Sequence, residues 1–207
     1  MKRYYIPIVL FMLGAFTVSV STAESLEEVA FEKLSVRIKK EKLSSKDCEE
    51  LGHVDKTGGK VNLNRGGQMS FKHKFEGCQY QLDLRNNQPI NFEQLKIECR
   101  FFYTVERSWR ARKKRSEEEL KYFDWSSSVS LKASTKDRVT TDPFVMHSSE
   151  VASGVYFNNG DPEVVDCSEE GLWVKVTYTT PDGEKEERDF CQPSSLSNRV
   201  TWDGKSI

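Results

Sequence analysis

Six cations and one tryptophan fall within nine consecutive residues, Arg107-Ser108-Trp109-Arg110-Ala111-Arg112-Lys113-Lys114-Arg115. Guanidinium groups hold sulfate, phosphate or carboxylate through charge-assisted, often paired hydrogen bonds, and an indole offers a flat face for stacking. The run therefore predicts a loop that contacts an anionic polymer, with Trp109, Arg110, Arg112, Lys113, Lys114 and Arg115 as its binding residues. Glu117-Glu118-Glu119 follow almost at once. The competing expectation is a solvated loop whose cations those glutamates answer.

Placed acids, bases and nucleophiles are harder to find. There is no GxSxG elbow, HExxH pair, phosphate-binding glycine loop or dinucleotide fingerprint. His53, His73 and His147 are scattered along the chain. His73 falls in the apolar phase of an alternating run, where a hydrogen-bonded structural histidine is expected. Carboxylates are abundant, but no spacing singles out the pair that glycoside hydrolysis requires. The expectation is a non-catalytic chain. The alternative is a carbohydrate-active hydrolase or its accessory binding domain, suggested by the aromatics and carboxylates. No CxxC pair or Cys–His spacing points to a metal, so neither a metal nor another cofactor is expected. Asn158-Asn159-Gly160-Asp161, with Glu163 and Asp166 nearby, offers oxygen ligands of the kind Ca²⁺ takes but lacks the alternating acids of an EF-hand loop. A polar turn accounts for the same residues.

Lys2 and Arg3, an apolar run from Ile6 to Val20, and the small residues Ser21-Thr22-Ala23 read as a secretory signal peptide over residues 1–23. The run is short of the ~20 residues that span a bilayer. The expected product is Glu24 to Ile207, periplasmic or extracellular, with no membrane span. Interleaved basic and aromatic residues also suit single-stranded nucleic acid, but an exported chain rarely meets it. A protein or an anionic polysaccharide is the expected partner, and no nucleic acid is expected. Loss of Lys2 and Arg3 takes the 31 basic residues to 29 against 32 acidic ones. Net charge thus gives no reason to expect a nucleic-acid or membrane-surface binder. Cys48, Cys78, Cys99, Cys167 and Cys191 would meet an oxidising environment, which allows up to two disulfides with one thiol left over and leaves their pairing open.

Several runs alternate apolar and polar residues with the period of a half-buried strand. Leu34, Val36 and Ile38 form one; Met69, Phe71, His73 and Phe75 another; Tyr80, Leu82 and Leu84 a third. Leu95, Ile97, Cys99, Phe101 and Tyr103 follow, then Val129 and Leu131, then Val174, Val176 and Tyr178. Gly58-Gly59, Gly66-Gly67 and Asn86-Asn87 supply turns between them. Pro181-Asp182-Gly183 predicts a hairpin between Leu172–Thr179 and Lys185–Phe190. The fold class is all-β, an antiparallel sandwich with long inter-strand insertions and one or two short helices. One helix is expected at Ser116, with Glu119 closing a capping box. Another is expected at Asp161-Pro162-Glu163, with Gly171 as its stop. Phe31-Glu32-Lys33-Leu34-Ser35-Val36 echoes Phe92-Glu93-Gln94-Leu95-Lys96-Ile97. The echo allows two small β domains meeting near residue 92, although a single elaborated domain over 24–207 is the preferred division.

Tyr80-Gln81-Leu82-Asp83-Leu84-Arg85-Asn86 is followed nine residues on by Leu95-Lys96-Ile97-Glu98-Cys99. A strand ending in Asn, a short loop, then Leu-x-Ile-x-Cys resembles the second and third strands of bacterial secreted immunoglobulin-like modules of the fibronectin-like and cell-adhesion-related types. Gly171-Leu172-Trp173-Val174-Lys175-Val176 and its Asp-Gly hairpin resemble the closing strands of the same sandwich. The resemblance spans about half of the exported chain. It implies an immunoglobulin-like β-sandwich whose loops carry binding, in a class that hosts many unrelated roles. The segments Val105–Val129 and Phe144–Gly171 are longer than in the compact type, and no Cys-Trp-Cys framework is present.

Overall fold

The structure is a computed structural model that describes residues 30–57, 61–62, 68–109, 115–154 and 163–207. The signal peptide expected over residues 1–23 lies outside them. Ten strands carry the architecture: β1 (Ser35–Lys42), β2 (Lys56–Thr57), β3 (Val61–Asn62), β4 (Gln68–Arg85), β5 (Phe92–Trp109), β6 (Arg115–Leu131), β7 (Lys136–Thr140), β8 (Phe144–Gly154), β9 (Glu163–Thr179) and β10 (Lys185–Gln192). A short helix, α1 (Ser45–Glu50), follows β1, and a 3₁₀ turn, Ser194–Asn198, follows β10. The strand pairs are antiparallel. No helix among the described residues is long and apolar enough to cross a membrane.

The strands run in the order β1-β4-β8-β9-β5-β6, with β10 beside β9 and with β2, β3 and β7 beside β4. β1 and β7 pair the same stretch of β4, so they occupy opposite edges of it. By the same reasoning β9 lies between β5 and β10, and β5 lies between β6 and β9. Two strips result, β1-β4-β7/β8 and β10-β9-β5-β6, joined where Ser149 of β8 meets Val165 of β9. In a flat sheet three inter-strand steps would separate β4 from β5 by about 14 Å. The rings of Tyr80 and Phe101 are 6.0 Å apart. The sheet therefore folds over, and the inner faces of the two strips meet.

What drives that closure is the alternation visible in the sequence. Cys78, Tyr80, Leu82 and Leu84 of β4 face Leu95, Ile97, Cys99 and Phe101 of β5 and Leu172, Val174, Val176 and Tyr178 of β9, all in one buried cluster. Phe31 closes one end, 6.1 Å from Phe92 and 5.7 Å from Tyr178. Arg188 of β10 holds that plug by donating from Nη1 to the carbonyls of Phe31 and Leu34, at 2.9 and 2.6 Å. A second, smaller cluster lies on the outer face, where Leu196 and Val200 of the C-terminal segment cover Phe102. This is why neighbouring Phe101 and Phe102 are both buried on a strand whose side chains alternate.

Three expectations are corrected. Ser116 to Glu119 is not helical but belongs to β6, because every residue from Arg115 to Val129 has a register partner on β5. Glu163 likewise starts a strand rather than a helix, paired along β5 from Trp109 onward; Asp161 and Pro162 lie outside the described residues. The long insertions are largely continuations of strands. Residues 30–32 are also helical, and α1 has the cap that the two sites above do not make. Ser44 accepts from Asp47 N–H at 3.2 Å, and the Asp47 carboxylate accepts from Ser44 N–H at 2.7 Å. The hairpin between β9 and β10 forms at the expected turn, with Gly183 at φ +87° donating to the Thr180 carbonyl.

Candidate functional site

The apolar phase of β5 ends at Val105, which is 6% exposed. Pairing with β6 continues to Trp109, opposite Arg115, and β9 accompanies β5 to the same level through Glu163. Four residues of strand add about 13 Å beyond the core. The result is a three-stranded arm, and residues 110–114 link β5 to β6 in the sequence. Arg110, Arg112, Lys113 and Lys114 are four of those five connecting residues and lie outside the described residues. Trp109 and Arg115, the other two expected binding residues, are placed by their backbones as cross-strand partners at the arm's end.

The register decides where the neighbouring glutamates go. Glu117 stands across from Arg107, Glu118 across from Glu106, and Glu119 across from Val105. Lys121 answers Glu119 at 3.2 Å. All three glutamates are thus positioned along the paired stem. Along the arm lies a cleft of about 490 Å³ between β4, β8, β5 and β9. Its cations, Lys72 and Lys74, pair with Glu150 (3.2 Å) and Glu76. Glu106 and Asp166, also in its wall, are direct register partners across β5 and β9. The cleft has no surplus of positive charge.

Between the core and this cleft runs a polar layer. The Tyr80 hydroxyl donates to Glu169 Oε1 at 2.9 Å, and Lys40 of β1 pairs with the other carboxylate oxygen. Tyr80 is 1% exposed, and burial first, then the nearby Cys78 and Glu169, push its hydroxyl pKa up. Burial likewise pushes the thiol of Cys78 up to about 11, Cys99 up to about 12 and Cys191 up to about 11.

The expected disulfides are not present. All five cysteines are free thiols. They occupy α1, β4, β5, β9 and β10, and none is the register partner of another. Cys78 stands opposite Lys42 and Phe144, Cys99 opposite Trp125 and Val174, Cys167 opposite Val105, and Cys191 opposite Trp173. Unfolded without reductant, the protein should take up five equivalents of a maleimide, counted by intact mass. Uptake of three or one would contradict the free-thiol arrangement.

The histidines, scattered in the sequence, come together on β4 and β8. His147 is in register with Phe75, which places it diagonally beside His73. His73 Nδ1 and His147 Nε2 are 3.0 Å apart. Phe75 stacks on His147 at 4.7 Å, and His53 lies 5.2 Å from Phe75. His73 has a hydrogen-bond partner, His147, that spacing alone did not show. Burial, then His73 and His53, hold the His147 pKa below its ordinary value. Other charged or titratable groups around the cluster are Asp55, which accepts from Phe75 N–H, and Cys167, whose thiol meets the His147 carbonyl. A histidine with a depressed folded pKa takes up its proton more readily when unfolded. Its stabilising contribution is therefore complete above the ordinary value near 6.5 and is lost as pH falls toward the folded value. The denaturant midpoint of metal-free protein should fall between pH 7.5 and 5.5, and His147→Gln should flatten that slope. An unchanged slope in the variant would assign the pH response elsewhere.

No protein-family model matches the chain, and no curated protein matches it either.

Proposed function

We propose that the chain is a secreted, non-catalytic interaction module that grips an anionic partner, a polysaccharide or an acidic protein surface, with the basic segment linking β5 to β6. One observation carries this reading. Five residues link β5 to β6, four of them are cations, and the register sets the adjacent glutamates along the stem. Charge concentrated at the end of a hydrogen-bonded arm binds with little ordering cost, because the strands already fix its base. The pairing order supports an immunoglobulin-like sandwich: β1-β4-β8 follows the A-B-E strip, and β10-β9-β5-β6 follows the G-F-C-C′ strip. On such a scaffold the loops carry binding.

The test is retention of the exported chain on immobilised heparin and on a neutral glycan resin, beside a variant carrying Arg110→Ser, Arg112→Ser and Lys113→Ser. Salt-sensitive retention on heparin alone, lost in the variant, is expected. Equal retention of both proteins would end this reading. Export itself is checked by N-terminal sequencing of the secreted product, which should begin at Glu24.

A further inference from the structure

The geometry points to a divalent transition-metal site on the outer side of β4 and β8, in which His73 Nδ1 and His147 Nε2 hold one Cu²⁺ or Ni²⁺ ion with water in its other positions. Imidazole nitrogens bind such ions at about 2.0–2.1 Å, so two ligands at a right angle sit about 2.9 Å apart and two at the tetrahedral angle about 3.35 Å. The observed 3.0 Å is close to the right-angle value. That bite suits the square-planar or tetragonal preference of Cu²⁺ and Ni²⁺ over the tetrahedral preference of Zn²⁺.

The two rings are also held in place before any ion arrives. Phe71 stacks on His73 at 6.5 Å, His73 on His147 at 5.1 Å and His147 on Phe75 at 4.7 Å, giving a ladder of four rings across two strands. The strand register fixes both backbones. His147 is exposed, so an ion reaches the pair from solvent. No group of three His, Cys, Asp or Glu among the described residues is arranged around a common metal position. The site is accordingly a two-nitrogen clamp with open positions, of moderate affinity, and His53 is outside it. It needs neither the basic turn nor the proposed anion binding.

The experiment uses untagged exported chain, stripped with chelator and titrated with CuSO₄ and, as a probe that thiols do not reduce, NiCl₂. One Cu²⁺ per chain is expected, bound more tightly than Ni²⁺, and its electron paramagnetic resonance spectrum should show two coupled nitrogens. His73→Gln and His147→Gln should each weaken binding at least tenfold, with thermal unfolding confirming that both remain folded. His53→Gln should leave affinity within threefold. Absence of stoichiometric binding, or equal affinity in wild type and His147→Gln, would overturn the assignment.

Discussion

Replacing Phe101 by Ala should cost about 3–5 kcal/mol, enough to consume much of the stability of an ordinary domain. Phe101 is fully buried and sits where the two strips meet. Its ring lies 5.2 Å from Phe144 of β8, 6.0 Å from Tyr80 of β4, 6.2 Å from Tyr103 and 6.4 Å from Phe123 of β6. Truncation would open a cavity that four large rings on four strands cannot all move to fill. The loss combines the transfer free energy of the ring with the contacts its neighbours forfeit. Phe101→Leu keeps most of the volume and should cost appreciably less. Urea unfolding of the three proteins provides the comparison. A loss below 1 kcal/mol for Phe101→Ala would mean that the faces of β4 and β5 do not close on each other as described.

The second large effect is expected at Gly171. Its φ is +144°, a conformation L side chains rarely adopt, and an added Cβ would lie 2.4 Å from the Gln192 carbonyl oxygen and 2.8 Å from Pro193 Cδ. The residue sits where the β5–β9 register shifts between Phe102 and Tyr103, leaving Glu170 as the extra residue on β9. That bulge turns Glu169 toward Tyr80 while the Glu170 carboxylate accepts from Thr104 and pairs with Arg199. Backbone strain costs about 1–3 kcal/mol, and the forced approach to the chain after β10 adds a similar amount. Gly171→Ala should therefore lower the unfolding midpoint sharply. Gly183→Ala is the useful contrast, because its φ is also positive but nothing lies within 4 Å of the added carbon. Similar losses at both positions would show that backbone conformation alone matters and that the packing against Gln192 does not.

How much of this was legible follows from which residues touch the core. Tyr80, Leu82 and Leu84, and Leu95 through Phe101, announce their strands because one side of each is buried. Where β5, β6 and β9 run past the core, that signal stops at Val105, yet the backbone pairing continues to Trp109. Local signals then mislead. The Ser-x-x-Glu pattern at Ser116 looks like a helix start, and its mate at Ser44 with Asp47 is one. The difference is a neighbour: β5 offers a hydrogen-bonding edge to residues 115–131, whereas Ser44 follows the end of β1 and has no such edge.

The candidate site divides in the same way. Clustered cations are visible in any reading of Arg107 to Arg115. The extension of the strands to Trp109 and Arg115 depends on the pairing of β5 with β6, and so does the commitment of Glu117 to the stem. His73 and His147 are 74 residues apart and share no motif. Only the register that sets Phe75 opposite His147 brings them together.

The most direct test of the central claim is the equilibrium affinity for a heparin-derived oligosaccharide, measured by calorimetry at low and at physiological salt. Three exposed ion pairs at about 0.5 kcal/mol each sum to about 1.5 kcal/mol, a factor of about ten. The combined Arg110→Ser, Arg112→Ser and Lys113→Ser variant should bind at least that much more weakly at low salt, and the wild-type affinity should fall as salt rises. An affinity that neither the variant nor salt alters would contradict the account of the arm as an anion-binding element.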